Sequence, residues 1–124
     1  MTYPAEAYDG DPIGKLRQKL RQFAAERDWD QFHTPKNLAI ALTVEAGELL
    51  EGFQWLTPEQ ATHLSADQLE KVRLEMADVL LYLVRLADRL GVDLVGAALD
   101  KLAINEKKYP VELAKGNAKK YTEL

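Results

Sequence analysis

The sequence predicts an all-α protein, a bundle of about four helices assembled as a homo-oligomer. Three observations carry this expectation. Apolar residues recur at helical spacing in segments bounded by proline and glycine, no stretch shows the apolar–polar alternation of a strand, and no internal repeat or low-complexity block interrupts the pattern. With 124 residues, 47% of them hydrophobic, the chain is expected to form one domain over 1–124. Such a chain buries roughly two-thirds of the surface it exposes unfolded. Residues 1–12 and 110–124 are expected to be extended or flexible arms.

The first helix is predicted from about Ile13 to Asp28, where Leu16, Leu20, Phe23 and Ala24 share a face and lysines and arginines occupy the others. The following DWDQFH reads as a loop. Thr34 before Pro35 is an N-cap with proline at the first helical position, opening a second helix that runs to about Gly52. Either Pro58 or Ser65 opens the third. From Ser65 the spacing S-A-D-Q is a loose capping box, followed by Leu69, Val72, Met76, Val79, Leu83, Leu86 and Leu90 before Gly91 ends the helix. The fourth runs from about Val92 to Tyr109, carrying Leu94, Ala98 and Leu102, and stops at Pro110. The second and third helices are apolar around much of their circumference, more than a monomer of this size covers, and so a helical homo-oligomer is predicted.

Composition excludes several function classes. There are no cysteines, which removes disulfides, thiolate zinc sites and iron–sulfur ligation. A net charge of −4 argues against a surface for nucleic acid polymers. No apolar run has the ~18 residues of a membrane span, so no membrane partner is expected and the protein is placed in the cytoplasm. The charge is unevenly spread: residues 41–80 hold eight acids and two bases, whereas 101–124 hold three acids and six bases. One region suits cations and the other anions.

The acids of the middle segment include two i, i+3 steps on the two most apolar helices, Glu45-Ala-Gly-Glu48 and Glu75-Met-Ala-Asp78. Residues three apart lie about 60° apart around a helix, so each step presents two carboxylates on one face. Advancing about 100° per residue, Glu45 falls beside the stripe formed by Leu38, Leu42 and Leu49, and Glu75 borders the apolar arc of the third helix. Solvated acids would sit opposite those stripes, although the two steps read equally as exposed polar positions of ordinary helices. Like charges beside apolar surroundings repel unless a cation or a shared proton compensates them. Four oxygen donors without Cys or His nearby suit Mg²⁺, with Mn²⁺ as a substitute. Other metal sites lack support: neither His33 nor His63 follows a Glu by three, as a di-iron bundle requires, and the EF-hand loop is missing.

Trp29, His33, Phe53 and Trp55 flank the second helix, and Trp29 and Trp55 either pack the bundle ends or sandwich a base. Lys101, Asn105 and Lys108, at i, i+4 and i+7, share one face of the fourth helix. That face is either a solvated stripe or a grip for phosphate oxygens.

The two acidic steps resemble the metal-binding signature of the all-α nucleoside triphosphate pyrophosphohydrolases, the MazG-like superfamily. The segments FAAERDWDQFHTPKNLAIALTVEAGELLEGFQW, EMADVLLYLVRLADRLGVDL and KLAINEKKYPVELAKGNAKKYTEL look like its dCTP pyrophosphatase branch, over nearly the whole chain from Ile13. The resemblance implies cleavage of a nucleoside triphosphate between its α and β phosphates, with Glu45, Glu48, Glu75 and Asp78 as Mg²⁺ ligands. It also implies Glu45, with Glu48, as the catalytic carboxylates, and Trp29, His33, Trp55, Tyr82 and Asn105 as the lining of a base and deoxyribose pocket. Lys101 and Lys108 would contact the triphosphate. Similar enzymes assemble as dimers or dimer-of-dimers tetramers and build their sites between subunits, which implies a homodimer or homotetramer here. Glu106, ahead of Lys107 and Lys108, departs from the basic run of close relatives. The alternatives are the same chemistry on another nucleotide such as dUTP, or a non-enzymatic helical oligomer stabilised by a divalent ion.

Overall fold

The computed structural model describes residues 10–124, and among them every regular element is helical. Four long helices, α1 (Pro12–Glu26), α2 (Pro35–Glu51), α4 (Ala66–Leu90) and α5 (Leu94–Lys108), are accompanied by two short ones, α3 (Pro58–Ala61) between α2 and α4 and α6 (Val111–Ala114) after α5. A 3₁₀ turn, Tyr121–Glu123, follows. The described residues divide into two compact units, the first ending at Gly91 and the second running from Val92 to Leu124.

Side chains that satisfy the free backbone N–H groups of the first turn fix most helix starts in the first unit. Asp11 accepts from Gly14, and Pro12, assigned by the sequence to an arm over 1–12, instead stands at the first position of α1, while residues 1–9 of that arm lie outside the described residues. Thr34 caps α2 ahead of Pro35. Both candidate starts for the third predicted helix are used: Thr57 and Gln60 form a capping box for α3, and Ser65 and Gln68 form one for α4. Gly91 ends α4 at φ +67°, a left-handed conformation that glycine adopts at no steric cost. The first helix stops two residues earlier than its pattern suggests because the chain turns at Asp28, φ +54°. Asn37 donates to the Phe32 carbonyl at 3.0 Å and ties the connecting loop to the start of α2.

In this unit α4 is the central helix, packed extensively against α2 and also against α1. The core consists of Ala24 from α1, Leu38 from α2, and Val72, Val84 and Ala87 from α4. Gly52 closes α2 where a side chain would meet Val72 Cγ2 at 3.2 Å, so its lack of a Cβ permits the close approach. Many apolar side chains stay outside: Ile40, Val44 and Leu50 on α2 and Leu69, Leu74 and Met76 on α4 are each half or more exposed. No described helix is long and apolar enough to cross a membrane.

In the second unit Asp93 caps α5, accepting from Gly96 at 3.1 Å, so this helix starts two residues later than predicted. Residues 110–124 do not run as an extended arm throughout. They contain α6 and the 3₁₀ turn, and Tyr121 packs edge-on against Tyr109, with ring centroids 6.2 Å apart. The Lys108 ammonium lies 4.7 Å from the Tyr121 ring centre, a cation–π contact that ties the chain end to α5.

Candidate metal centre and nucleotide pocket

The packing of α2 on α4 brings the two acidic steps together. One carboxylate oxygen from each of Glu45, Glu48 and Glu75 lies within 4.8 Å of the others. Glu45 and Glu75 are half-buried, as their places beside the apolar stripes require, and Glu48 is exposed. Asp78 is outside this trio, although its charge acts on Glu45.

The environment is unfavourable for three free carboxylates. The Oε2 atoms of Glu45 and Glu75 are buried with no hydrogen-bonding partner, and an orphaned buried acceptor costs about 1–3 kcal/mol, more when charged. Burial, followed by the close side chains of Glu75 and Glu48 and the charges of Glu48 and Asp78, pushes the Glu45 carboxyl up to about 7. Protonation relieves such crowding, and so does a cation. With only oxygen donors in the cluster, the residues fit a hard divalent ion.

Beside the acids, the first unit holds a cavity of about 430 Å³ lined by residues that include Leu20, Trp29, His33, Asp78, Tyr82 and Arg85. This volume falls within the range of small-molecule sites. Trp29 is held edge-on between Phe23, 5.6 Å away, and His33, 6.0 Å away. Burial first, and then the positive charges of Arg85 and Arg89 against the opposing effect of Asp30, hold the His33 imidazole below its ordinary value. Asp78 lines the cavity and also acts on Glu45, so it links pocket and carboxylates.

Of the residues singled out in the sequence, the structure thus gathers Glu45, Glu48 and Glu75 in one cluster and Trp29, His33, Tyr82 and Asp78 around one cavity. Trp55 is 85% exposed and does not line that cavity. Lys101, Asn105 and Lys108 stand on α5 of the second unit. The sequence reading missed Arg85, which is buried at 4% exposure with its guanidinium tied to Asp30 at 2.5 Å. The available signal was a single arginine inside the apolar run Leu83-Val84-Arg85-Leu86.

An all-helical unit with a carboxylate cluster next to an aromatic cavity is the form expected of an α-helical nucleotide pyrophosphohydrolase. Residues 40–124 match the MazG-like family model, and the chain belongs to the MazG-like family. It is 49% identical to dCTP pyrophosphatase 1 of Homo sapiens over 111 residues, covering 88% of this chain and 65% of that protein. With the Bos taurus dCTP pyrophosphatase 1 it shares 48% identity over 121 residues, 95% of this chain and 72% of the relative. The matched region thus spans just under two-thirds of the human relative's length. The crystal structure of a pyrophosphatase from Archaeoglobus fulgidus superimposes with a TM-score of 0.77 at 34% identity, covering 89% of this chain and 98% of that one.

Proposed function

We propose that this chain hydrolyses dCTP, or a 5-modified dCTP, to dCMP and pyrophosphate with Mg²⁺ as cofactor, so clearing the nucleotide from the cytoplasmic pool. The observation that carries the reading is the trio of carboxylates from two helices, two of them with buried oxygens that lack partners. Its neighbourhood with an aromatic cavity supports a nucleotide as substrate, and the named relatives support the base.

In this reading Glu45, Glu48 and Glu75 hold the cation together with Asp78, and Mn²⁺ substitutes for Mg²⁺. Bound there, a divalent ion neutralises charge on the phosphate oxygens and makes a water more acidic. Glu45, in contact with both Glu48 and Glu75, is assigned the proton of the attacking water, and Glu48 fixes its orientation. Trp29 and Tyr82 present flat faces to base and deoxyribose, and His33 supplies a polar group at the cavity wall. Aromatic stacking by itself accepts any base, so the choice of cytosine is the part carried by the relatives. Lys101 and Lys108 are assigned the triphosphate and Asn105 the sugar or base edge. Trp55, exposed on one chain, belongs to a site completed by a second copy. The half-exposed leucines, valines and methionine of α2 and α4 support a homodimer or homotetramer, because apolar surface of that extent is stable only when covered.

The test is incubation with each dNTP and Mg²⁺, with identification of the products. The reading expects dCMP and pyrophosphate. Orthophosphate with a diphosphate would place the cleavage at the wrong bond, faster turnover of dUTP would change the base, and no turnover of any nucleotide would leave an ion-stabilised oligomer.

A further inference from the structure

Arg85 lines the cavity wall and carries a charge suited to phosphate, yet every edge of its guanidinium is already engaged. Nη2 donates to Asp30 Oδ1 at 2.5 Å, Nη1 lies 3.6 Å from Asp88 Oδ2, and Nε donates to His33 Nδ1 at 3.1 Å. The two carboxylates are held in turn. Asp88 accepts both Nε and Nη2 of Arg21 on α1, at 2.7 and 2.5 Å, and Asp30 sits on the loop that leads into α2. Arg89, one turn beyond Arg85, donates to the His33 backbone carbonyl at 3.1 Å and fixes the base of the imidazole.

The chemistry of the Nε to Nδ1 contact is one-sided. A guanidinium has five N–H donors, no acceptor, and does not deprotonate in proteins. Nδ1 of His33 must therefore be the acceptor. A proton there, in the other neutral tautomer or in the imidazolium, would set two N–H groups against each other. The single proton of the neutral ring is left on Nε2. His33 lines the cavity, and its ring is otherwise braced edge-on by Trp29.

We infer that Arg85 is a positioning residue that locks His33 as the neutral Nε2–H tautomer, so that the pocket offers a fixed hydrogen-bond donor to an acceptor atom of the bound nucleoside. The second role of a histidine, as an acceptor or a cation at that wall, is thereby removed. Asp30, Asp88 and Arg21 serve the same purpose by holding the guanidinium plane. The tautomer follows from the contacts alone. The effect on substrate rests on the function proposed above, and the two are read separately.

The test begins with two-bond ¹H–¹⁵N spectra of the ¹⁵N-labelled protein without ligand at pH 7.5. The chain has two histidines, His33 and His63, so His33→Gln assigns the signals. The inference expects Nδ1 of His33 to resonate as a pyridine-type and Nε2 as a pyrrole-type nitrogen. A proton on Nδ1, or an imidazolium, overturns it without any variant of Arg85. Arg85→Lys keeps the charge and loses the planar Nε–H, and should move both shifts toward the average of two exchanging tautomers. Unchanged shifts in that variant overturn the role of Arg85. In the activity arm, Arg85→Lys should raise KM for dCTP about fivefold, the value of one neutral hydrogen bond, and affect kcat less. His33→Ala should do the same, and Arg85→Lys added to His33→Ala should cost nothing more in KM. Additive losses, or losses in kcat and melting temperature alone, would mean Arg85 is only structural. Absence of turnover in the wild type would defeat the proposed function and leave the spectra to decide the tautomer.

Discussion

Replacing Glu45 with glutamine should stabilise the metal-free protein at alkaline pH and change it little at acid pH. The Glu45 carboxyl stands at about 7 against its ordinary 4.5, chiefly because burial disfavours the charged form. A carboxyl raised in the folded state binds its proton more tightly there than in the unfolded chain, so it imposes no penalty below about pH 4.5. The penalty grows as the pH rises through that window and is complete above pH 7. The full displacement is worth at most about 3 kcal/mol. Glu45 keeps partial access to water, and solvent screening reduces the figure to about 1–2 kcal/mol. For a chain of this size that is roughly 3–10 °C in melting temperature. The assay is thermal unfolding of wild type and Glu45→Gln in EDTA at pH 4 and pH 8, comparing the difference between the two proteins at each pH. The variant should melt higher by that amount at pH 8 and nearly equal to the wild type at pH 4. A variant that melts lower at pH 8, or a difference that does not change with pH, would refute the claim that crowded, buried charge dominates this cluster.

Glu48→Gln and Asp78→Asn should each abolish turnover of dCTP while the helical circular dichroism persists, because each removes charge from a like-charged cluster rather than a packing contact; a collapsed spectrum would make them structural. Leu38→Ala should lower unfolding stability by about 2–4 kcal/mol in urea titration, since Leu38 is 1% exposed and its loss leaves a cavity against α4. The wild type should elute and scatter light as a dimer or tetramer at micromolar concentration, and a clean monomer would show that the apolar faces of α2 and α4 are not covered by a second copy.

The parts of the fold legible in the sequence were those fixed by local chemistry. Thr34 with Pro35, Ser65 with Gln68, and Gly91 mark helix ends because the capping bond or left-handed turn involves residues within one turn of each other. The acidic steps were legible because helical periodicity alone places Glu45 and Glu75 at the border of apolar stripes, and both are half-buried. The Arg85 network was not, since its partners His33 and Asp30 lie 52 and 55 residues away and were chosen by the packing of α1 and the following loop on α4. Periodicity also did not separate Asp78 from the carboxylate trio. A step of three sets two side chains on one face, whereas rotamers decide which oxygens converge. The residues after Pro110 gave no apolar pattern because a ring pair and a cation–π contact hold them, not a helical stripe.

The most direct test of the central claim, that carboxylates of α2 and α4 form a divalent-metal centre, is Mn²⁺ titration followed by electron paramagnetic resonance for wild type and Glu75→Gln. Glu75→Gln keeps the size of the side chain and removes its charge from the trio. Mn²⁺ should bind the wild type and be displaced by Mg²⁺, and its binding should be lost or weakened by at least tenfold in the variant, about 1.4 kcal/mol. Equal binding by the two proteins would put the cation elsewhere and contradict the account.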